Sequence, residues 1–246
     1  MTRTRTRLVA AAASGVLLLA PLAGCGGDDK KKDATSSSAS DKGGNDAASA
    51  GADDADQFTA DLVAAMNKQK SVHMTIEGGL TAEADMKLGA DPVIKLNASM
   101  GAGKLEMILA DNAMYMLQAP GTKYRKIGKD DPTFGSLLGT FNGLSPSQAV
   151  TGIKGGITKF KKVGEKTVDG QKVTQYDVTA DTSKVDGAFT ALAGASGPVE
   201  MKFFVGEGDL LQQIQLDLSG QKLALKFSDW NKPVDIKIPT GDQLLN

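Results

Sequence analysis

The chain has 246 residues, of which 41% are apolar, 23% charged and 5% aromatic, with a formal charge of −1. That is enough length and apolar content for a buried core, and it excludes collagen-like and wholly disordered chains, since the 29 glycines have no triplet period. One cysteine and one histidine exclude a disulfide-stapled miniprotein and the usual zinc sites.

The N-terminus reads as an address. Arg3, Arg5 and Arg7 form a positive region, and Leu8 to Ala20 is an apolar run too short for a bilayer, which needs ~20 residues. The arginines are not adjacent, so a twin-arginine signal is not indicated. Leu22-Ala23-Gly24-Cys25 has the form of a bacterial lipobox, in which residues 1–24 are removed and Cys25 becomes a diacylglyceryl-modified first residue. Two or more acyl chains anchor stably where one does not. Cleavage removes three arginines and no acid, taking the formal charge from −1 to −4 and leaving Arg125 as the only arginine. Such a chain is a poor partner for nucleic acid, which demands dense phosphate contacts.

Residues 25–55 carry the anchor and then Gly, Ser, Ala, Asp and Lys with no large apolar side chain, a composition for a flexible tether with a reach of ~30 Å. Lys30-Lys31-Lys32 sits among Asp28, Asp29 and Asp33, so it reads as a solvated charge run more than a headgroup contact. The expected domain spans residues 56–246.

Phe58, Leu62, Ala65, Met66 and Gln69 fall at helical spacing behind Asp53, Asp54 and Asp56, predicting a helix over about 55–69. The period then changes to two. Val72-Met74-Ile76, Ala84-Met86-Leu88, Ile94-Leu96-Ala98, Leu105-Met107-Leu109, Met114-Met116 and Tyr124 follow, separated by Gly, Asp and Asn breaks. This predicts an antiparallel meander with one dry face. Phe134, Leu137, Leu138 and Phe141 form a helical stripe after Asp131-Pro132, and Ser145-Pro146-Ser147-Gln148 resembles a capping box. Asp169-Gly170 between 157–168 and 171–180 is a type I′ hairpin signal. Residues 182–194 read as a weakly apolar helix. Strands are then expected at Val199–Val205, Leu210–Leu218, Leu223–Phe227 and Val234–Ile238.

These elements make one α+β domain: a strongly curved antiparallel sheet whose apolar face the helices must cover. Six of the nine methionines (74, 86, 100, 107, 114 and 116) lie in one meander. Flexible, polarizable methionine suits a surface accepting varied apolar shapes, and equally fills an ordinary core. With few aromatics, an aliphatic, smooth interior is expected.

Three stretches resemble the LppX/LprG (LppX_LprAFG-like) family of actinobacterial lipoproteins, whose fold is related to LolA: Gly164–Gly170 leading to Thr174–Val178, the strand–turn–strand from Val199 to Ile214, and Phe227–Pro239 with Trp230. The resemblance covers roughly residues 56–246. It implies a half-barrel sheet around an apolar cavity that binds or moves acylated lipids, with no catalytic residue and no cofactor. The expected cavity wall is Met74, Ile76, Met86, Met107, Leu109, Met114 and Met116, under a covering helix with Leu137, Leu138 and Phe141. The expected setting is the outer face of the cytoplasmic membrane, reached by the general secretory pathway, with the membrane, an acylated ligand and a membrane transporter as partners. The rival expectation is an envelope module that binds a protein or senses a signal, with a filled core and an exposed apolar patch.

Catalytic constellations are absent. His73 lies on the polar side of a strand with no Gly-x-Ser-x-Gly elbow. Asp130-Asp131 precedes Pro132 and reads as a helix start. Gly152–Gly156 lacks the Gly-Lys-Ser/Thr ending of a phosphate loop, and Asp53, Asp54 and Asp56 lack calcium-loop spacing. No metal site is expected.

Overall fold

The structure is a computed structural model that describes residues 52–245, apart from 79–80, 101–102, 119, 133, 136–144, 186–196 and 219–220. The anchor candidate Cys25, the stripe residues Leu137, Leu138 and Phe141, and most of the helix expected over 182–194 lie outside the described residues.

Among the described residues, two α-helices, α1 (Ala52–Met66) and α2 (Pro146–Lys154), accompany eleven strands. The strands are β1 (Ser71–Glu77), β2 (Thr81–Lys87), β3 (Val93–Met100), β4 (Gly103–Ala110), β5 (Ala113–Gln118), β6 (Arg125–Gly128), β7 (Ile157–Val168), β8 (Gln171–Asp181), β9 (Pro198–Val205), β10 (Leu211–Leu218) and β11 (Gln221–Ser228). They form one unclosed antiparallel sheet in the order β6-β5-β4-β3-β2-β1-β11-β10-β9-β8-β7. It is two meanders fused where β1 pairs with β11 (Met74↔Phe227, Ile76↔Leu225). Strands β6 and β7 stand at opposite edges, and α2, which precedes β7, packs Val150 and Ile153 into the core on the concave face.

The alternation of apolar residues fixes which face is inside, because a one-residue slip would turn every side chain over. One core cluster joins residues of β1–β3 (Met74, Met86, Leu96), of β7–β10 (Phe160, Val178, Met201, Ile214) and of both helices (Leu62, Met66, Val150, Ile153). Helix α1 buries Ala55, Thr59, Leu62, Ala65 and Met66, a stripe at i, i+4, i+7 spacing. It begins at Ala52 and ends at Met66, so Lys68 and Lys70 lie in the turn beyond it. The hairpin reading at Asp169-Gly170 is met by φ of 48° and 80°, the two positive values a type I′ turn needs.

Of the helix expected over 182–194, the described residues include only the start, where Thr182–Lys184 is a 3-10 turn capped by Asp181, whose carboxylate accepts the Ser183 N–H at 3.0 Å. Three expectations are corrected. Ser145 is the N-cap of α2 but its side chain makes no capping bond, so the first turn relies on Pro146, which has no N–H to satisfy. Val234–Ile238 is extended but pairs with no strand; Pro233 and Pro239, which bracket it, cannot donate to a ladder. Its alternation serves burial instead, with Ile236 7% exposed and Asp235 and Lys237 in solvent.

The third correction concerns the outer face, which is not polar throughout. Met107 to Ala110 and Ala113 to Leu117 are almost unbroken apolar runs, the pattern of a strand buried on both sides. Ile108, Ala110, Ala113 and Tyr115 form a second core on the outer face, covered by Val234, Ile236, Ile238 and Leu244 of the C-terminal segment. The segment is held at both ends. At its start, Asp229 and Asn231 take φ of 55° and 63°, tolerated by Asp and Asn. There the Asn231 N–H donates to the Ser71 carbonyl at 3.0 Å, the Ser71 hydroxyl donates to the Lys232 carbonyl at 2.6 Å, and the Trp230 indole donates to the Leu211 carbonyl at 3.2 Å. At its end, Leu244 bridges Tyr124 in parallel, with Tyr124 N–H to Gln243 O at 2.8 Å and Leu245 N–H to Tyr124 O at 2.8 Å. The Tyr124 hydroxyl donates to Glu106, which also pairs with Lys95 at 3.0 Å.

Truncating Ile236→Ala is expected to cost ~2–4 kcal/mol, and Lys237→Ala, at an exposed neighbour, less than ~0.5 kcal/mol; urea unfolding measures both. Burial, then the hydrogen bond and negative charge of Glu106, push the Tyr124 hydroxyl up to about 12. The folded state therefore keeps a proton that the unfolded chain releases near pH 10. This contribution to stability is complete below pH 10 and is lost as pH rises to 12. Stability measured across that window is expected to fall less steeply in Tyr124→Phe.

Candidate functional site

Cross-strand register aligns the concave-face residues in rows. One row runs Ile127, Met114, Leu109, Ile94, Met86, Val72, and the next runs Met116, Met107, Leu96, Ala84, Met74, Phe227. All seven residues expected as a cavity wall sit on this face: Met86, Leu109 and Met114 in the first row, Met74, Met107 and Met116 in the second, and Ile76 beside Leu225 in the third. The small Ala82, Ala84 and Ala98 beside them leave room for long unbranched side chains. Met74, Met86 and Met114 are fully buried, Ile76 and Leu109 nearly so, and Met107 and Met116 only partly.

The face opens at both ends of α1. At its C-terminal end a cleft of about 520 Å³ has an apolar floor of Met66, Met86, Leu88 and Ile94. Its rim is polar but uncharged: Asn67, Ser145, Ser147 and Gln148. Of the expected wall, Met86 alone lines this cleft. Met66, Leu88 and Ile94 were not singled out from sequence, although the helix stripe and the strand alternation already mark all three as inward-facing.

At the N-terminal end of α1 a cleft of about 310 Å³ lies among Phe58, Leu62, Phe160, Tyr176 and Val205, with Asp54, Asp61, Asp209 and Lys162 around it. Here the interior is aromatic. The Phe58 ring lies 4.9 Å from Phe160, 4.4 Å from Tyr176 and 5.8 Å from Phe203, the last edge-on. The expectation of a uniformly aliphatic lining therefore holds only for the β1–β6 half. Composition cannot show clustering: Phe160, Tyr176 and Phe203 come from three strands and meet only through the pairings Phe160↔Val178 and Tyr176↔Phe203. Burial first, and the Asp209 carboxylate second, raise the Tyr176 hydroxyl above its ordinary value. Lys162 Nζ stands 6.0 Å from the centre of that ring.

His73 is on the outer face, where its Nδ1 meets Asp85 Oδ1 at 2.8 Å across the β1–β2 pair. Neither residue faces either cleft. Among the described residues no group of three His, Cys, Asp or Glu side chains is placed to hold a metal, and no helix is long and apolar enough to cross a membrane.

The model of the LppX_LprAFG lipoprotein family matches residues 54–236. LprF from Mycobacterium bovis is similar in fold, with 17% identity, a TM-score of 0.58, and coverage of 77% of this chain and 98% of that one. The lipoprotein LppX from Mycobacterium tuberculosis is similar too, with 17% identity, a TM-score of 0.54, and coverage of 74% and 99%. A LolA superfamily protein from Nitrosomonas europaea matches at 11% identity and a TM-score of 0.30. No curated protein sequence matches the chain.

Burial along the second row sets a gradient. Met74→Ala is expected to cost ~2–5 kcal/mol and Met116→Ala about 1 kcal/mol or less, because a cavity penalty requires packing on all sides. Urea midpoints at unchanged slope measure the difference.

Proposed function

This chain belongs to the LppX_LprAFG lipoprotein family, and from that premise we propose that its concave face binds the acyl chains of a lipid or lipoconjugate and hands them to a membrane partner, without a covalent step. The observation that carries this reading is the 520 Å³ cleft, whose floor of Met66, Met86, Leu88 and Ile94 adjoins the apolar rows of the concave face and whose rim is polar and uncharged. An apolar floor takes hydrocarbon, and a few amide and hydroxyl groups at the mouth orient a polar head. Of the expected wall, Met86 lines the cleft, Met107 and Met116 lie partly buried in the neighbouring row, and Met74, Ile76, Leu109 and Met114 back them from the packed core; a covering helix at Leu137, Leu138 and Phe141 is part of this reading and lies outside the described residues. Cys25 carries the lipid anchor that holds the domain on the outer face of the cytoplasmic membrane.

Magnitude narrows the ligand. Lifting a diacyl lipid with ~30 methylenes out of a bilayer forfeits on the order of 20 kcal/mol. A cleft within the usual range of ~300–1,000 Å³ offsets only part of that. The reading is therefore a single chain held in the cleft while the rest of the lipid stays in the bilayer. The rival, a protein-binding module, calls for an exposed apolar patch. Among the described residues the exposed large hydrophobics are Val163 and Leu245, single residues on different segments.

Native mass spectrometry and solvent extraction of the purified chain are expected to recover acylated lipid. Ligand-free protein from several membrane sources contradicts the reading. Leu88→Trp, which narrows the cleft, is expected to lower the recovered lipid severalfold while changing stability by no more than ~1–3 kcal/mol. For the anchor, Cys25→Ser is expected to move the protein from the detergent phase to the aqueous phase in a partition assay; detergent partitioning unchanged by that substitution would refute it.

A further inference from the structure

Among the described residues strand β7 is an edge of the sheet, with no neighbour beyond it in the strand order. Free edges invite unwanted pairing, and lysines commonly blunt them. β7 carries more lysine than that purpose needs: Lys159, Lys161, Lys162 and Lys166, all exposed, against one acid, Glu165. Among the described residues none of the four has an ion-pair partner. Lys161 faces Asp177 across the β7–β8 pair, but the Asp177 carboxylate instead accepts the Gln175 amide at 2.6 Å. Between them Val163, 41% exposed, sits at a register shift that turns the strand. An apolar side chain amid unpaired lysines on a rim matches the interface of an anionic bilayer, where the charges meet headgroups and the side chain enters the boundary.

The position of the chain's start agrees. Helix α1 begins at Ala52 and packs on β7, and Asp54 of its first turn shares a cleft with Phe160 and Lys162. The first described residue of the domain, Ala52, thus opens a helix that packs on β7.

We propose that the β7 edge, through Lys159, Lys161, Lys162, Lys166 and Val163, docks the tethered domain onto an anionic lipid surface. The proposal rests on the lipid-anchor reading only for what brings the edge to the membrane. Asp54, Asp61 and Asp209 in the neighbouring cleft oppose it and set its orientation, since they favour the rim over the α1 side. Each net positive charge near an anionic surface strengthens binding about fivefold; Lys159 and Lys161 share a cleft with Lys202 and Lys222 but also with Asp177, Glu200 and Asp217, Glu165 offsets Lys166, and Lys162 adjoins the acidic cleft, so the net is about one and the gain about fivefold. That is weak for a free protein and sufficient for one held by a tether at effective concentrations of ~mM.

The test uses residues 26–246 with an N-terminal histidine tag on vesicles containing nickel-chelating lipid, so that tethering does not depend on Cys25. Val163→Cys is then the only thiol and takes an environment-sensitive nitrobenzoxadiazole label. Emission is expected to rise severalfold on vesicles of phosphatidylcholine with phosphatidylglycerol over phosphatidylcholine alone, to fall back at high salt, and to be lost when the four lysines are changed to Glu. The lipid and salt arms need no lysine variant, and Lys159→Gln with Lys161→Gln, expected to reduce the rise severalfold, stands in if the fourfold variant does not fold. Emission equal on both vesicle types, or unchanged by salt, overturns the proposal, while the partition assay on Cys25 tests the anchor separately.

Discussion

Five residue pairs between β1 and β11, from His73↔Ser228 to Glu77↔Ala224, hold two meanders in a single sheet. Each meander forms from neighbours in sequence, but this seam joins segments about 150 residues apart, and everything on the concave face depends on it. It sets Met74 beside Phe227 and Ile76 beside Leu225, so that rows begun in the N-terminal half continue into the C-terminal half. The loop-closure cost of such pairing is offset by burial along the seam: Met74 and Phe227 are both almost fully buried. Just past the seam, the Asp229–Lys232 turn ties the chain back to Ser71 and directs the C-terminal segment across the outer face.

From that seam the two faces diverge in purpose. The outer face of β3–β6 has apolar residues that the C-terminal segment covers. Elsewhere the long β7–β8 hairpin reaches back, with Asp169 at its tip 3.7 Å from Lys226, which also pairs with Glu77 at 3.0 Å. Helices α1 and α2 pack on the concave face, and clefts remain at the two ends of α1. One is methionine-rich and uncharged at its rim, the other aromatic and mostly acidic. A sheet that stayed open, with β6 partly covered by the bridge at Tyr124 and β7, among the described residues, left free, can admit a chain-like ligand from an edge, as a closed barrel cannot.

Much of this was readable from residue order. Period-two alternation gave β1 to β5 and the inward set of methionines, and Asp169-Gly170 gave the hairpin, because both signals are local. Val234–Ile238 was misread because alternation reports which side chains are buried, not whether the backbone has a ladder partner; Pro233 and Pro239 were the available warning. The double-sided burial of β4 and β5 was visible in the run Met107–Ala110, yet the requirement for a second cover follows only once the sheet is assembled. The aromatic cluster around Phe58 was not readable, since its members are joined by register across three strands and a helix. The cleft was half readable: Met86 was marked, but Met66 and Leu88 line it only because α1 ends where the β2–β3 connection turns.

The eight methionines that follow residue 24 make the central claim directly observable. With methyl groups labelled by carbon-13, two-dimensional spectra recorded while a single-chain acyl lipid is added should show shifts concentrated at Met66, Met86, Met107 and Met116, with Met201 unmoved. Spectra that do not change, or that change at Met201 and leave Met86 and Met107 untouched, would contradict an acyl-binding concave face.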